Sequence, residues 1–183
     1  MSKFSTLILD RDGVINKDFG YVCDWERFEY IDGVIETLNY FSQKKYNIFF
    51  VTNQSGIARK LFSEDEFLSF QNSLINDMKK KGIFIKDFEY CPHHPEAIDE
   101  RYRLNCNCRK PNPGMIKKIL QNYKITPDEV IFVGDKLSDI QAAFRSGIKN
   151  NYLIKDSSSE VFNSKIYGET IISNLSKLKQ LIK

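Results

Sequence analysis

Long apolar runs are missing from this chain. The strongest, such as Ile48-Phe49-Phe50-Val51, fall far short of the roughly 20 residues that a bilayer span needs. No apolar signal core follows Met1, so a cytoplasmic protein with no membrane attachment is expected. A large charge of either sign is also missing. The net charge is +3, and lysines such as Lys79-Lys80-Lys81 lie on helical stretches instead of forming one basic stripe, so nucleic acid is not an expected partner. Cysteine and histidine are scarce, with four of the first and two of the second among 183 residues. That excludes a disulfide frame as the source of stability, and clustered cysteines in such a chain favour metal over disulfides. No internal repeat, low-complexity tract or linker interrupts the sequence. A single domain over residues 1–183 is expected, long enough to bury roughly 70% of its unfolded surface, and it is expected to be a monomer.

Short β-branched and aromatic runs alternate with longer stretches of helical period, which predicts an α/β fold with a mainly parallel sheet and helices on both faces. The strands are expected at 6–10, 47–52, 87–90, 130–133, 151–154 and, more weakly patterned, 170–172. Helices are expected at 33–45, 63–81, 113–123, 138–146 and 174–182. Ser63-Glu64-Asp65-Glu66 reads as a capping box, and Pro113 suits a first helical turn. Segments 16–31 and 91–112 fit neither period, and connections of that length in a compact domain are usually functional. Ligand sites of open α/β sheets lie beyond the carboxyl ends of the strands. Asp10, Thr52, Cys91 and Asp135 each fall just there.

Asp10-Arg11-Asp12 has a spacing that lets two carboxylates at a strand end face one side while Arg11 points away. One carboxylate can attack and the other can carry a proton. A phosphate ester resists attack by an anion, so a bridging cation with oxygen ligands, Mg²⁺, is expected between them. Asp135, after Val130-Ile131-Phe132-Val133-Gly134, would complete its ligands. Asp139 either supports the metal and Lys136 or caps the helix that begins near Ser138.

With Thr52, Lys110 and Gly134-Asp135 in the same order, the chain resembles the haloacid dehalogenase superfamily of phosphatases. Its four motifs fall at 10–14, Thr52, Lys110 and 134–139. The resemblance implies a Rossmann-like three-layer fold without a large cap domain, and an aspartyl-phosphate formed on Asp10. It further implies that Asp12 protonates the leaving oxygen and then activates water, with Thr52 and Lys110 on the phosphoryl oxygens and Arg109 among the catalytic residues. Mg²⁺ would be held by Asp10, the backbone carbonyl of Asp12, and Asp135. Val14 stands where the family usually has threonine.

Three of the four cysteines gather with both histidines in Cys91-Pro92-His93-His94 and Cys106-Asn107-Cys108, with twelve residues between His93 and Cys106. Such a set reads as a closed, structural Cys₃His zinc cage. Either histidine could serve on chemistry alone, and the resemblance points to His93. Segment 98–107 has no apolar pattern to pack by, so zinc is expected to order the loop that delivers Arg109 and Lys110. Cys23 reads as a free thiol.

Within the superfamily, the zinc loop followed by Cys108-Arg109-Lys110-Pro111 resembles a small branch that holds heptose bisphosphate phosphatases and histidinol-phosphate phosphatases. Thr52-Asn53-Gln54-Ser55-Gly56-Ile57-Ala58-Arg59, Cys91-Pro92-His93-His94-Pro95 and Gly134-Asp135-Lys136 favour the first, which implies a sugar bisphosphate partner and a role in heptose synthesis for lipopolysaccharide or capsule. Carried over, Asp18, Phe19, Gly20 and Tyr21 would line the sugar pocket, and Asn53, Gln54, Ser55, Arg109 and Lys136 would contact substrate. A second phosphate suits this excess of cations, since Arg109 can grip one bidentately. Tyr21, Trp25 and Phe28 also read as packing of the loop. A phosphosugar-binding protein without turnover would have lost a carboxylate, and both are present. A zinc hydrolase would need an open ligand position.

Overall fold

The computed structural model describes residues 4–155 and 166–182. Strand β1 (Thr6–Leu9) leads through a long segment to helix α1 (Val34–Gln43), then β2 (Asn47–Asn53), the short α2 (Ser55–Ala58), α3 (Glu64–Lys80) and β3 (Ile85–Cys91). A second long segment reaches α4 (Gly114–Tyr123), followed by β4 (Val130–Gly134), α5 (Leu137–Arg145), β5 (Asn150–Ile154), β6 (Thr170–Ile172) and α6 (Leu178–Leu181). The six strands form one sheet in the order β3-β2-β1-β4-β5-β6. Every pairing in it is parallel.

The central strands β1, β2 and β4 are largely apolar on both faces because both faces are covered. Leu7, Leu9, Ile48, Phe50, Ile131 and Val133 pack with Val34, Leu38 and Phe41 of α1, Leu74 and Met78 of α3, and Leu178 of α6. The intervening Ile8, Phe49, Val51 and Phe132 pack on the opposite face with Met115, Ile116 and Ile119 of α4 and Ile140 and Ala143 of α5. Three layers result, and the period-2 alternation of a strand is their cause.

The expected strands and the other expected helices are found with ends shifted by a few residues, whereas the stretch expected as a helix at 174–182 is a 3₁₀ turn, Leu175–Lys177, followed by the four-residue α6. Sequence patterning misses α2 and the 3₁₀ turns Glu100–Tyr102 and Pro127–Glu129, which are too short to show a period. The capping box is present: Glu66 N donates to Ser63 Oγ (3.1 Å) and Ser63 N to Glu66 Oε2 (2.7 Å). Among the described residues, no inserted unit stands between β1 and α1.

Register sets the working edge. Leu9 is level with Phe50 and Val133, and Thr52 is level with Tyr90. The residues that follow β1, β2, β3 and β4 therefore emerge together. Phe132, wholly buried in the central strand β4, tests this packing. Phe132→Ala should lower unfolding free energy by about 3–5 kcal/mol, read as a reduced urea midpoint with an unchanged m-value.

Candidate active site and metal centres

The sheet's carboxyl edge opens into a cavity of about 610 Å³. At its floor, Lys110 is 4% exposed. Its Nζ lies 2.6 Å from Asp10 Oδ1, 2.7 Å from Asp139 Oδ1 and 3.1 Å from the Val51 carbonyl. Burial alone would lower the lysine's pKa; the charges of Asp10 and Asp139 outweigh it and hold the ammonium charged. Burial pushes the Asp10 carboxyl well above its ordinary range despite Lys110, and Asp139 and Asp135 add to the rise. Asp135 is pushed up to about 6, by burial first and then by Asp139. More negative charge is gathered here than one ammonium can balance.

Asp10, Asp135 and Asp139 each offer a carboxylate oxygen, all within 4.8 Å of one another. Asp135 Oδ1 is buried without a hydrogen-bond partner, which fits a cation-binding role. Gly13 has a φ of +86°, and a Cβ there would collide with Asp135 Oδ2, so this turn needs glycine on both counts. Asp139 serves both the lysine and the helix: besides binding Lys110 through Oδ1, it accepts at Oδ2 from Lys136 N at the start of α5 (2.9 Å).

Arg11 points away from the cavity, as strand alternation suggests, but into the protein and not to solvent. It is 0% exposed, and its Nη2 grips Asp12 at Oδ1 (2.8 Å) and Oδ2 (2.9 Å). Asn16 Nδ2 donates to Asp12 Oδ1 (3.0 Å), and Gln54 Nε2 and Thr52 Oγ1 donate to Oδ2 (2.8 and 3.3 Å). Burial would raise the Asp12 carboxyl, but Arg11, Asn16 and Gln54 hold it below the usual range. Arg11 and Asn16 are absent from the sequence-derived site. A local charge partner beside Asp12 was the available signal.

Asp18, Gly20, Tyr21, Thr52, Asn53, Gln54, Ser55, Arg109 and Lys136 all line the cavity, with Pro111 and Ser138. Phe19 does not; it is 53% exposed, and its carbonyl accepts from Arg27 Nη2 (3.0 Å). Lys136 Nζ lies 3.0 Å from Asp18 Oδ2, tying the first long segment to α5. That segment is pinned to α3 by tilted ring contacts: Trp25 and Phe28 lie 5.5 and 5.7 Å from Phe70. Asn53 spends its amide on the Lys110 backbone, accepting from N (3.0 Å) and donating to O (3.1 Å). Val14 is wholly buried in the apolar core, where a valine suits the surroundings.

Cys91, His93, Cys106 and Cys108 converge as a second cluster. Cys91 Sγ lies 3.4 Å from Cys106 Sγ and 3.1 Å from Cys108 Sγ, and His93 Nδ1 lies 3.2 Å from Cys108 Sγ. Tetrahedral zinc with thiolates would place sulfurs about 3.8 Å apart, so the donors stand near the spacing of a cage. His94 sits outside it, its Nδ1 accepting from Glu96 N (3.1 Å). Cys23 stands free, its thiol pushed up to about 11 chiefly by burial. The second long segment does not depend on a metal alone: Ile98 N and Asp99 N donate to the Ala58 carbonyl (3.0 and 3.1 Å), and Tyr102 Oη donates to Glu64 (2.7 Å).

A "haloacid dehalogenase-like hydrolase" family model matches residues 102–152. The chain is 38% identical, over 97% of its own length and 94% of the other's, to a D-glycero-beta-D-manno-heptose-1,7-bisphosphate 7-phosphatase of Photorhabdus laumondii. It belongs to the haloacid dehalogenase-like hydrolases. Another member, the D-glycero-alpha-D-manno-heptose-1,7-bisphosphate 7-phosphatase of the same organism, is 42% identical over 84% of each chain. A solved structure, the D,D-heptose 1,7-bisphosphate phosphatase of B. bronchiseptica complexed with magnesium and phosphate, superposes with a TM-score of 0.82. It is 29% identical, covering 96% of this chain and 97% of that one. The sheet and its carboxyl edge are thus those of a haloacid dehalogenase-like phosphatase. No helix among the described residues is long and apolar enough to cross a membrane.

The Asn53 clamp can be tested apart from turnover. Asn53→Ala leaves two backbone groups of Lys110 without partners, and the variant should be less stable by about 1–3 kcal/mol in urea titration.

Proposed function

We propose that the chain is a one-domain, Mg²⁺-dependent, cytoplasmic and monomeric phosphatase that removes the 7-phosphate of D-glycero-D-manno-heptose 1,7-bisphosphate. The observation that carries this reading is the meeting of Asp10, Asp12, Thr52, Lys110 and Asp135 at one strand edge, in a chain whose relatives bear that activity in their names. Asp10 is the nucleophile. Its carboxylate oxygen bonds to phosphorus as the bond from phosphorus to the sugar oxygen breaks, and that oxygen takes a proton from Asp12, which has first to gain one against the pull of Arg11. A water oxygen then bonds to phosphorus, Asp12 accepts the water's proton, and the bond to Asp10 breaks to release phosphate. Lys110 and Thr52 bind the phosphoryl oxygens and hold them in line, stabilising charge that develops there. Asp10, Asp135 and the backbone carbonyl of Asp12 would hold Mg²⁺, which supplies positive charge that reduces repulsion between carboxylate and phosphate and keeps Asp10 ionised. Arg109 and Lys136, on the wall of the same cavity, bind the second phosphate, and Asp18, Gly20, Tyr21, Gln54 and Ser55 frame the sugar.

The Cys91, His93, Cys106 and Cys108 cluster holds a structural zinc in this reading, because four N and S donors leave no place for water. Protein purified without chelator should contain about one zinc per chain by elemental analysis. Cys108→Ser should lose it and melt at a lower temperature; full zinc occupancy in that variant would remove Cys108 from the cage.

Asp10→Asn should abolish turnover with the fold intact by circular dichroism, since the amide is nearly isosteric but a poor nucleophile. Phosphate-release kinetics should show heptose 1,7-bisphosphate to be a far better substrate than histidinol phosphate. The opposite order would move the chain to the histidinol phosphatases while leaving Asp10 as nucleophile.

A further inference from the structure

Arg11 is wholly buried, yet it lines no part of the cavity. Its guanidinium has three sets of partners. One edge faces Asp12, through Nη2 to both carboxylate oxygens and Nε to Oδ1 (3.2 Å). Nη2 also donates to the Val22 carbonyl (2.8 Å), in the segment that carries Asp18 and Tyr21. Nη1 lies 3.4 Å from Gln71 Oε1 on α3. The guanidinium carbon lies 5.6 Å from the ring centres of both Phe67 and Phe70, so two aromatic side chains of α3 confine the plane of the fork.

A planar fork held against aromatic rings can set the plane of the carboxylate it grips, which a lysine's compact charge cannot do. Asn16, Gln54 and Thr52 complete the cradle around Asp12. General acid and base chemistry depends on such aim, and a misplacement near 1 Å can cost about 10²-fold in rate.

We propose that Arg11 is a positioning residue that fixes the aim of the Asp12 carboxylate and ties it to the segment framing the pocket mouth. It touches no substrate and acts only through Asp12. The inference rests on the reading of Asp12 as the proton carrier, and it deepens that reading by naming what holds the carrier in place.

Two substrates that differ in their need for a proton provide the test. The sugar oxygen of a heptose bisphosphate leaves poorly unless protonated, whereas p-nitrophenolate leaves without help. In Arg11→Met, rapid-quench phosphoenzyme formation from p-nitrophenyl phosphate should stay within about 3-fold of wild type, while kcat on the sugar bisphosphate falls by about 10²-fold. Breakdown of the phosphoenzyme still needs a base aimed at water. p-Nitrophenol should therefore appear as a burst close to one per active site, followed by slow turnover. Arg11→Lys, which retains the charge without the fork, should show the same pattern, and it decides the matter alone if Arg11→Met does not fold.

Equal losses on both substrates without a burst, or full rescue by Arg11→Lys, would overturn the proposal. Asp12→Asn separates the two layers of inference. If it shows the same dependence on leaving group and the Arg11 variants do not, only the role of Arg11 falls. If Asp12→Asn shows no such dependence, Asp12 is not the proton carrier and both fall.

Discussion

A single ammonium organises the carboxyl edge of the sheet. Lys110 reaches from a long loop into a buried space where Asp10, Asp139 and the Val51 carbonyl converge on its Nζ. A buried charge without partners would be prohibitively costly, and unpaired carboxylates at this depth would be equally so. Each therefore makes the other tolerable. The consequence runs outward through the fold: Asp10 follows β1, Val51 lies in β2, Asp139 lies in the first turn of α5, and the lysine joins all three to the segment after β3. Removing one partner would leave the remaining charges less fully compensated for their burial.

The position of that lysine depends in turn on how its loop is held. Asn53 clamps the Lys110 backbone from the end of β2. Upstream, the converging cysteines and His93 would fix the loop against the α4 face of the sheet, with Cys91 buried there among the apolar side chains. Hydrogen bonds to the Ala58 carbonyl and Glu64 attach the same loop to α2 and α3. Fixed geometry is thus distributed over a side-chain amide, the Cys/His cluster and backbone contacts, as a preorganised electrostatic site requires.

Much of this was readable in the sequence, because burial on both faces writes strands as continuous apolar runs and the residues after those runs mark the working edge. What was hidden is instructive. Strand alternation tells where a Cβ points, not where a long side chain ends, so Arg11 diverges from the cavity and still grips Asp12. The pairing of Asn53 with Lys110 crosses 57 positions and has no local signature. Helix α2 is four residues long, shorter than any period that could reveal it. Segment 98–107 lacks apolar patterning, yet its backbone finds partners on α2, an ordering device that hydropathy does not record.

The absence of an inserted unit between β1 and α1, among the described residues, has a consequence for solvent. The cavity is framed only by the protein's own connecting segments, with no second lobe there to shut over it. A small anion seated at the floor would leave most of the roughly 610 Å³ filled with water. Only an occupant extended enough to reach from Lys110 to Lys136 displaces that water and raises the strength of the charges around it. In such an architecture it is the guest, and no second lobe beside β1, that would exclude the solvent.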